Sequence, residues 1–114
     1  MDSTAAIAWP LQEIAALCEE YGVQQLDVFG SVLRDDFGPD SDVDFLVVFK
    51  NNDYGPWMSK LTNLEEDLSR LLGRRVDVVS RHGVEQSENY IRRRHILSAA
   101  RTLYVANLTW ERQR

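Results

Sequence analysis

The sequence feature that most constrains the fold is an apolar run from Val43 to Phe49, which follows closely on an aspartate at position 42. Beyond Asp44 every residue of the run is apolar, so both faces of an extended strand would be apolar. Such a strand is stable at the centre of a sheet, where other layers cover it on both sides. The run therefore predicts a buried central strand in a protein with helices packed on a sheet.

The segments around this run alternate between helical and strand patterns. Pro10 to Gly22 has apolar residues at helical spacing, with proline suited to the first turn and glycine to the stop. Gln25 to Phe29 is typical of a strand, and the leucines of Met58 to Leu72 predict the longest helix. A third strand is predicted at Val76 to Val79, and a last helix from about Asn89 to Ala106.

The order of these elements, with a further short helix predicted at 32–34, indicates an α/β (α+β) fold. We expect a small mixed sheet of three to four strands covered by helices. A length of 114 residues suits one domain over 1–114, with a core of about 10–106.

Two aspartates at the start of the central strand are the first candidate site residues. Asp42 and Asp44 are spaced i, i+2, so their side chains project from the same face of the strand. Two carboxylates held that close repel each other unless a cation lies between them, and Mg²⁺ prefers such oxygen ligands. Upstream, Gly30 permits close approach of the backbone to a ligand, and N–H groups around Ser31 can bind phosphate. This combination predicts phosphoryl or nucleotidyl transfer.

A third acid, Asp77, lies in the middle of a short β-branched run. A charge inside an apolar strand is costly unless it is paired, hydrogen-bonded or bound to a metal. If that strand lies beside the central one, Asp77 faces the same site, and three carboxylates around two cations suit two-metal nucleotidyl transfer. The alternative explanation is a solvated residue on an edge strand.

The pattern Gly30-Ser31, ten residues, then Asp42-Val43-Asp44 resembles the signature of the DNA polymerase β-type nucleotidyltransferase superfamily. The small size and Arg34, three residues after the serine, resemble its minimal nucleotidyltransferase (MNT) branch. The resemblance extends over roughly residues 10–106. One departure is Asp35, where many relatives have glycine, and it adds negative charge near a triphosphate site.

The resemblance implies a transferase that moves AMP from ATP to a hydroxyl with two Mg²⁺ ions. It assigns catalysis and metal binding to Asp42, Asp44 and Asp77, and nucleotide binding to Gly30, Ser31 and Arg34. An exposed ion pair with a neighbouring aspartate is the other explanation of the arginine. Asp27 is also a strand aspartate near the turn, but it matches no functional position of the motif, so we expect a structural role.

Free-standing MNT proteins resemble antitoxins that neutralise a HEPN-domain ribonuclease toxin by adenylylating one of its tyrosines. The resemblance thus implies a HEPN partner and an antitoxin role, and 114 residues leave no room for a separate acceptor-binding domain. Two alternatives stay open: an antitoxin that acts by docking alone, and a transferase for a small molecule such as an aminoglycoside. The oligomeric state is also open.

The charge distribution narrows the class of partner. Net charge is −5, but residues 1–73 carry four basic and fourteen acidic residues, against nine basic and four acidic after residue 73. An acidic chain is a poor general ligand for nucleic acid, so we expect no direct nucleic-acid binding. Without a long apolar run or a basic leader we expect a cytoplasmic protein that does not bind membranes. The single Cys18 excludes an internal disulfide.

Overall fold

The computed structural model describes residues 9–30 and 41–106. Within those ranges the strands form one sheet in the order β3-β2-β1-β4. Their bounds are β1 Val23–Phe29, β2 Val43–Phe49, β3 Val76–Ser80 and β4 Arg101–Val105. Strand β1 is antiparallel to both β2 and β4, whereas β3 is parallel to β2, so the sheet is mixed.

The helices pack on both sides of this sheet. Their bounds are α1 Leu11–Tyr21, α2 Ser59–Leu72, α3 Arg81–Glu85 and α4 Tyr90–Ala99. In the described part of the chain, no helix is long and apolar enough to cross a membrane. The α/β architecture and the mixed sheet expected from the sequence are therefore confirmed.

The predicted ends of the two longest helices are also confirmed, because local signals determine them. Helix α1 begins directly after Pro10 and ends at Gly22, which adopts the left-handed conformation at φ 72°. Helix α2 ends in the same way at Gly73, with φ 68°. Glycine suits these positions because a side chain makes the left-handed region costly.

Strand β2 has the predicted bounds and lies inside the sheet, between β1 and β3. Its alternate residues, Val43, Phe45, Val47 and Phe49, are buried on the side that packs against α1 and α2. Leu46 is buried on the opposite side, in a smaller cluster with residues of α3 and α4. We call the first side the core face and the second the acid face, because the strand aspartates at 27, 44 and 77 lie on it.

The prediction of a last helix from Asn89 to Ala106 was wrong at its C-terminal end. Helix α4 ends at Ala99, and Arg101–Val105 forms the edge strand β4 beside β1. The β-branched and aromatic residues in this segment suit a strand, and pairing with β1 satisfies backbone groups that would otherwise be left without partners. Leu103 and Tyr104 of this strand also pack against the core cluster.

Strand β3 runs one residue further than predicted, to Ser80, and a short helix that the sequence did not predict follows it. The Ser80 hydroxyl caps α3 by accepting a hydrogen bond from the Gly83 N–H at 2.9 Å. The short helix predicted at 32–34 lies outside the described residues.

Candidate active site

The sheet places two of the predicted catalytic acids side by side. In the parallel β2–β3 pair, Asp44 is the register partner of Asp77. Neighbouring strands lie only about 4.8 Å apart, so the side chains of paired residues on one face are direct neighbours. The condition that the sequence left open, that the strand of Asp77 lies beside the central strand, is thus met.

The third acid, Asp42, immediately precedes β2. Its side chain is 45% exposed and accepts a hydrogen bond from Arg75 Nε at 3.1 Å. Arg75 lies just before β3, so this ion pair joins the starts of the two parallel strands. Because one partner is mostly exposed, the pair contributes little to stability. It does hold the Asp42 carboxylate at the same end of the sheet as Asp44.

Gly30 directly follows β1 and lies next to the Asp44 carboxylate. It has φ 82°, and a Cβ atom built on it would overlap Asp44 Oδ2 and lie 3.3 Å from Asp44 Cγ. The position therefore excludes a side chain for two reasons, conformation and space. Strand β1 reaches this point because Phe29 is the register partner of Asp44. Gly30 thus lies directly beside Asp44 of the acid pair.

Within residues 9–30 and 41–106, no three acidic, histidine or cysteine side chains are gathered closely enough to form a protein-only metal site. The donor set nevertheless fits Mg²⁺ that arrives with a nucleotide. This ion retains waters and takes substrate phosphates as ligands, so one or two carboxylates are sufficient protein donors. Asp44 and Asp77 supply such a pair on one face of the sheet.

Asp77 is exposed, whereas Asp44 is half-buried. The exposure of Asp77 follows from its position on β3, the edge strand of the sheet. Its carboxylate is therefore open to a molecule that approaches this edge of the sheet. The other predicted site residues, Ser31 and Arg34, lie outside the described residues, as does Asp35.

Asp27 is the buried acid of this face, with 3% of its surface exposed. It accepts hydrogen bonds from Gln25 Nε2 at 3.0 Å and from Arg81 Nη1 at 3.3 Å. These partners account for a charge inside the sheet, since a buried carboxylate requires a paired cation or donors. The expected structural role of Asp27 is consistent with this arrangement.

Arg81 is the residue that sequence reasoning missed. It begins α3, directly after β3, and its side chain reaches across β2 to Asp27 on β1. Its Nε also donates to Glu85 Oε2 at 3.2 Å, one turn along the helix. The sequence alone could suggest the Arg81–Glu85 pair, because its i, i+4 spacing is local. It could not suggest the Asp27 contact, because that contact joins residues 54 positions apart. The Arg81–Asp27 ion pair thus holds α3 against the acid face.

Comparison with known proteins identifies the family. The model of the nucleotidyltransferase domain matches residues 13–101. A protein of Thermococcus cleftensis named protein adenylyltransferase MntA is 44% identical over 69 residues, which cover 60% of this chain and 67% of the relative.

Two solved structures are similar over nearly the whole chain. A structure described as a minimal nucleotidyltransferase is 34% identical, with a TM-score of 0.63, and the match covers 89% of this chain and 95% of that one. A complex described as a tri-AMPylated HEPN toxin of Shewanella oneidensis with its MNT antitoxin has a TM-score of 0.55 at 18% identity, and the match covers 89% and 74% of the two chains. At that identity the likeness concerns the fold alone. The chain therefore belongs to the nucleotidyltransferase domain family, in its minimal branch, and is a nucleotidyltransferase enzyme.

Proposed function

We propose that this enzyme transfers AMP from ATP to a tyrosine hydroxyl of a HEPN-type ribonuclease toxin and thereby acts as its antitoxin. The observation that carries the proposal is the placement of Asp44 beside Asp77, with Gly30 packed against Asp44. A relative at 44% identity that is named a protein adenylyltransferase supports protein as the class of acceptor. A protein of similar fold was solved in complex with an AMPylated HEPN toxin, which supports a HEPN protein as the partner.

Two Mg²⁺ ions bound by Asp42, Asp44 and Asp77 would neutralise the triphosphate and make the attacking hydroxyl more acidic. The backbone at Gly30 and Ser31 would hold the β- and γ-phosphates, where Gly30 leaves room for close approach. Arg34 would offset the charge that develops on those phosphates.

The reaction itself is a displacement at the α-phosphorus. The tyrosine oxygen would form a bond to phosphorus while the bond to pyrophosphate breaks, and Asp77 would help to take the hydroxyl proton. Asp77 suits that role because it is the exposed member of the acid pair. Catalysis would consist mainly of positioning and charge stabilisation.

The consequence for the toxin is electrostatic. Each AMP adds a negatively charged phosphodiester to the toxin surface, and a charge near the ribonuclease site repels RNA phosphates. ATP, the toxin and its RNA substrate all occur in the cytoplasm, so the proposal places the reaction there.

The direct test starts from the neighbouring reading frame, which the proposal expects to encode a HEPN-like protein. That protein is incubated with the chain, ATP and Mg²⁺, and the intact masses of both proteins are measured. We expect one or more AMP additions on a partner tyrosine, and none with an Asp44→Asn variant. A partner that is neutralised without a mass change would instead favour an antitoxin that acts by docking. A partner that is neither bound nor modified would contradict the proposal and direct the search to small-molecule acceptors.

A further inference from the structure

A cavity of about 480 Å³ opens beside the edge strand, one residue beyond Asp77. Strand β3 contributes one wall, the start of α2 a second, and α3 with α4 the rest. Most of its lining is apolar, namely Met58, Leu61, Val78, Val79, Val84 and Ile96. A volume in this range is typical of sites that enclose a small ligand or a large side chain.

The position of the cavity relative to the acids is informative. Across the sheet the order is Gly30 at the end of β1, Asp44 on β2, Asp77 on β3, and then the cavity beyond the edge of β3. An in-line displacement places the attacking oxygen opposite the leaving pyrophosphate. If the triphosphate lies at Gly30, the acceptor must approach from the side of β3, where the cavity is.

The charged lining residues of the cavity, within the part of the chain that the structure describes, are Arg92 and Arg93. Arg93 is fixed there, because its Nη1 donates to the backbone oxygen of Ser87 at 3.2 Å and its guanidinium lies 5.3 Å from the centre of the Tyr90 ring. Arg94, next along α4, lines a different depression. The cavity thus combines an apolar floor with a basic rim.

An exposed aromatic residue precedes the lining residue Met58. Trp57 is 98% exposed, and both residues adopt the left-handed backbone conformation, with φ 57° and 59°. That conformation is unfavourable for any residue other than glycine, and such strain concentrates at functional sites. A tryptophan held in solvent next to a cavity is typical of a protein contact surface.

We propose that this cavity is the docking site for the acceptor segment of the partner protein. The ring of the acceptor tyrosine contacts the apolar floor, and acidic residues that flank the tyrosine bind the arginines of the rim. The tyrosine hydroxyl then lies beside Asp77. The inference rests on the proposed function for the identity of the acceptor, but docking can be measured without transfer.

The test uses the full chain and two synthetic pentapeptides, each with a central tyrosine and either four flanking glutamates or four flanking lysines. Calorimetry measures binding without ATP. We expect the glutamate peptide to bind at least about tenfold more tightly than the lysine peptide, because charge complementarity favours it. Arg92→Glu should weaken its binding about tenfold, whereas Arg94→Glu, on the same helix but outside the cavity, should change it less than about twofold. Both variants change one exposed arginine, so circular dichroism should show an unchanged fold.

Equal binding of the two peptides, or an equal loss in the two variants, would overturn the docking site. Competition by ATP or by a short RNA oligonucleotide would also overturn it, since the arginines would then be a phosphate site. Selective binding of the glutamate peptide that depends on Arg92, together with an unmodified HEPN partner, would support the docking site and contradict the proposed function. AMP transfer that does not depend on Arg92 would support the proposed function and contradict the docking site.

Discussion

The two faces of the sheet differ in how completely they are packed. Among residues 9–30 and 41–106, the core face carries a cluster of thirteen buried residues from α1, α2 and three strands, whereas the cluster on the acid face has four. On the acid face the strand positions that would complete a second core are occupied by Asp27, Asp44 and Asp77. Most of the apolar packing is therefore on one side of the strands, and the candidate active site is on the other.

The largest expected effect is on activity and concerns the acid face alone. Asp44→Asn and Asp77→Asn should each lower AMP transfer roughly 10³-fold, because the cation and the attacking hydroxyl lose a ligand or base. Asp44→Asn should leave the free energy of unfolding unchanged or slightly raised, since it removes clustered negative charge. Transfer assays and urea unfolding measure the two quantities. The control is Asp67→Asn on α2, where the acid bonds to Tyr21 instead, and that variant should keep its activity.

Truncation of a leucine on each side of the sheet should give unequal losses of stability. Leu68 of α2 is fully buried in the larger cluster, whereas Leu97 of α4 is only partly buried beside the smaller one. Leu68→Ala should cost about 3 kcal/mol and Leu97→Ala about 1 kcal/mol, because lost burial and the residual cavity are larger at the first site. Urea denaturation of the two variants measures the difference. Equal losses would mean that both faces contribute alike to stability.

Asp27 tests whether every acid of the acid face is functional. Asp27→Asn should cost about 2 kcal/mol, because Arg81 keeps its charge without its buried partner. Activity should stay within about twofold of the unmodified enzyme, since the partners of Asp27 are Gln25 and Arg81 and it matches no functional position of the motif. The matched variant Asp53→Asn removes an exposed partner of Lys60, and its loss of stability should be clearly smaller than that of Asp27→Asn because solvent screens an exposed pair. An inactive Asp27 variant beside an active Asp77→Asn would show that the wrong strand acid was assigned.

The smallest expected effect is a pH dependence of the free energy of unfolding, caused by two residues of the core face. Burial, with Glu19 nearby, raises the pKa of Cys18 from 9.0 to about 12, and a hydrogen bond to Asp67 contributes most to raising the pKa of Tyr21 to about 12. When the pKa of a group is higher in the folded than in the unfolded state, the group contributes stability at low pH. This contribution is lost as the pH rises from the unfolded-state pKa to the folded-state pKa. Cys18 alone should lower the free energy of unfolding by about 1 kcal/mol between pH 9 and pH 10. Cys18→Ala should flatten that slope, and an unchanged slope would contradict the assignment.

The elements that the sequence predicts well are those that local signals define. Strand β2 follows from an apolar run, and α1 and α2 follow from helical spacing that ends at glycine. Strand β4 and helix α3 were missed because tertiary contacts decide them. The segment Arg101–Val105 becomes a strand since β1 has an edge to pair, a partner more than 70 residues earlier in the chain.

The candidate site shows the same division. The Gly30, Asp42 and Asp44 pattern is short and local, and the structure keeps these residues together at the ends of β1 and β2. The position of Asp77 beside Asp44 needed the strand order, which no local pattern supplies. Arg81 could not be found from the sequence, because its partner lies two strands away and contributes a single charge.

The parallel pairing of β2 and β3 has a kinetic consequence. Parallel neighbours cannot be joined by a hairpin, so α2 forms the crossover that brings Asp77 back beside Asp44. Contacts across such a crossover close a long loop and form late, after the local helices and turns. A nascent or partly unfolded chain would thus lack the paired acids even where its helices are intact. Nucleotidyl transfer would therefore appear only after the whole sheet has formed, so an activity assay would also report complete folding.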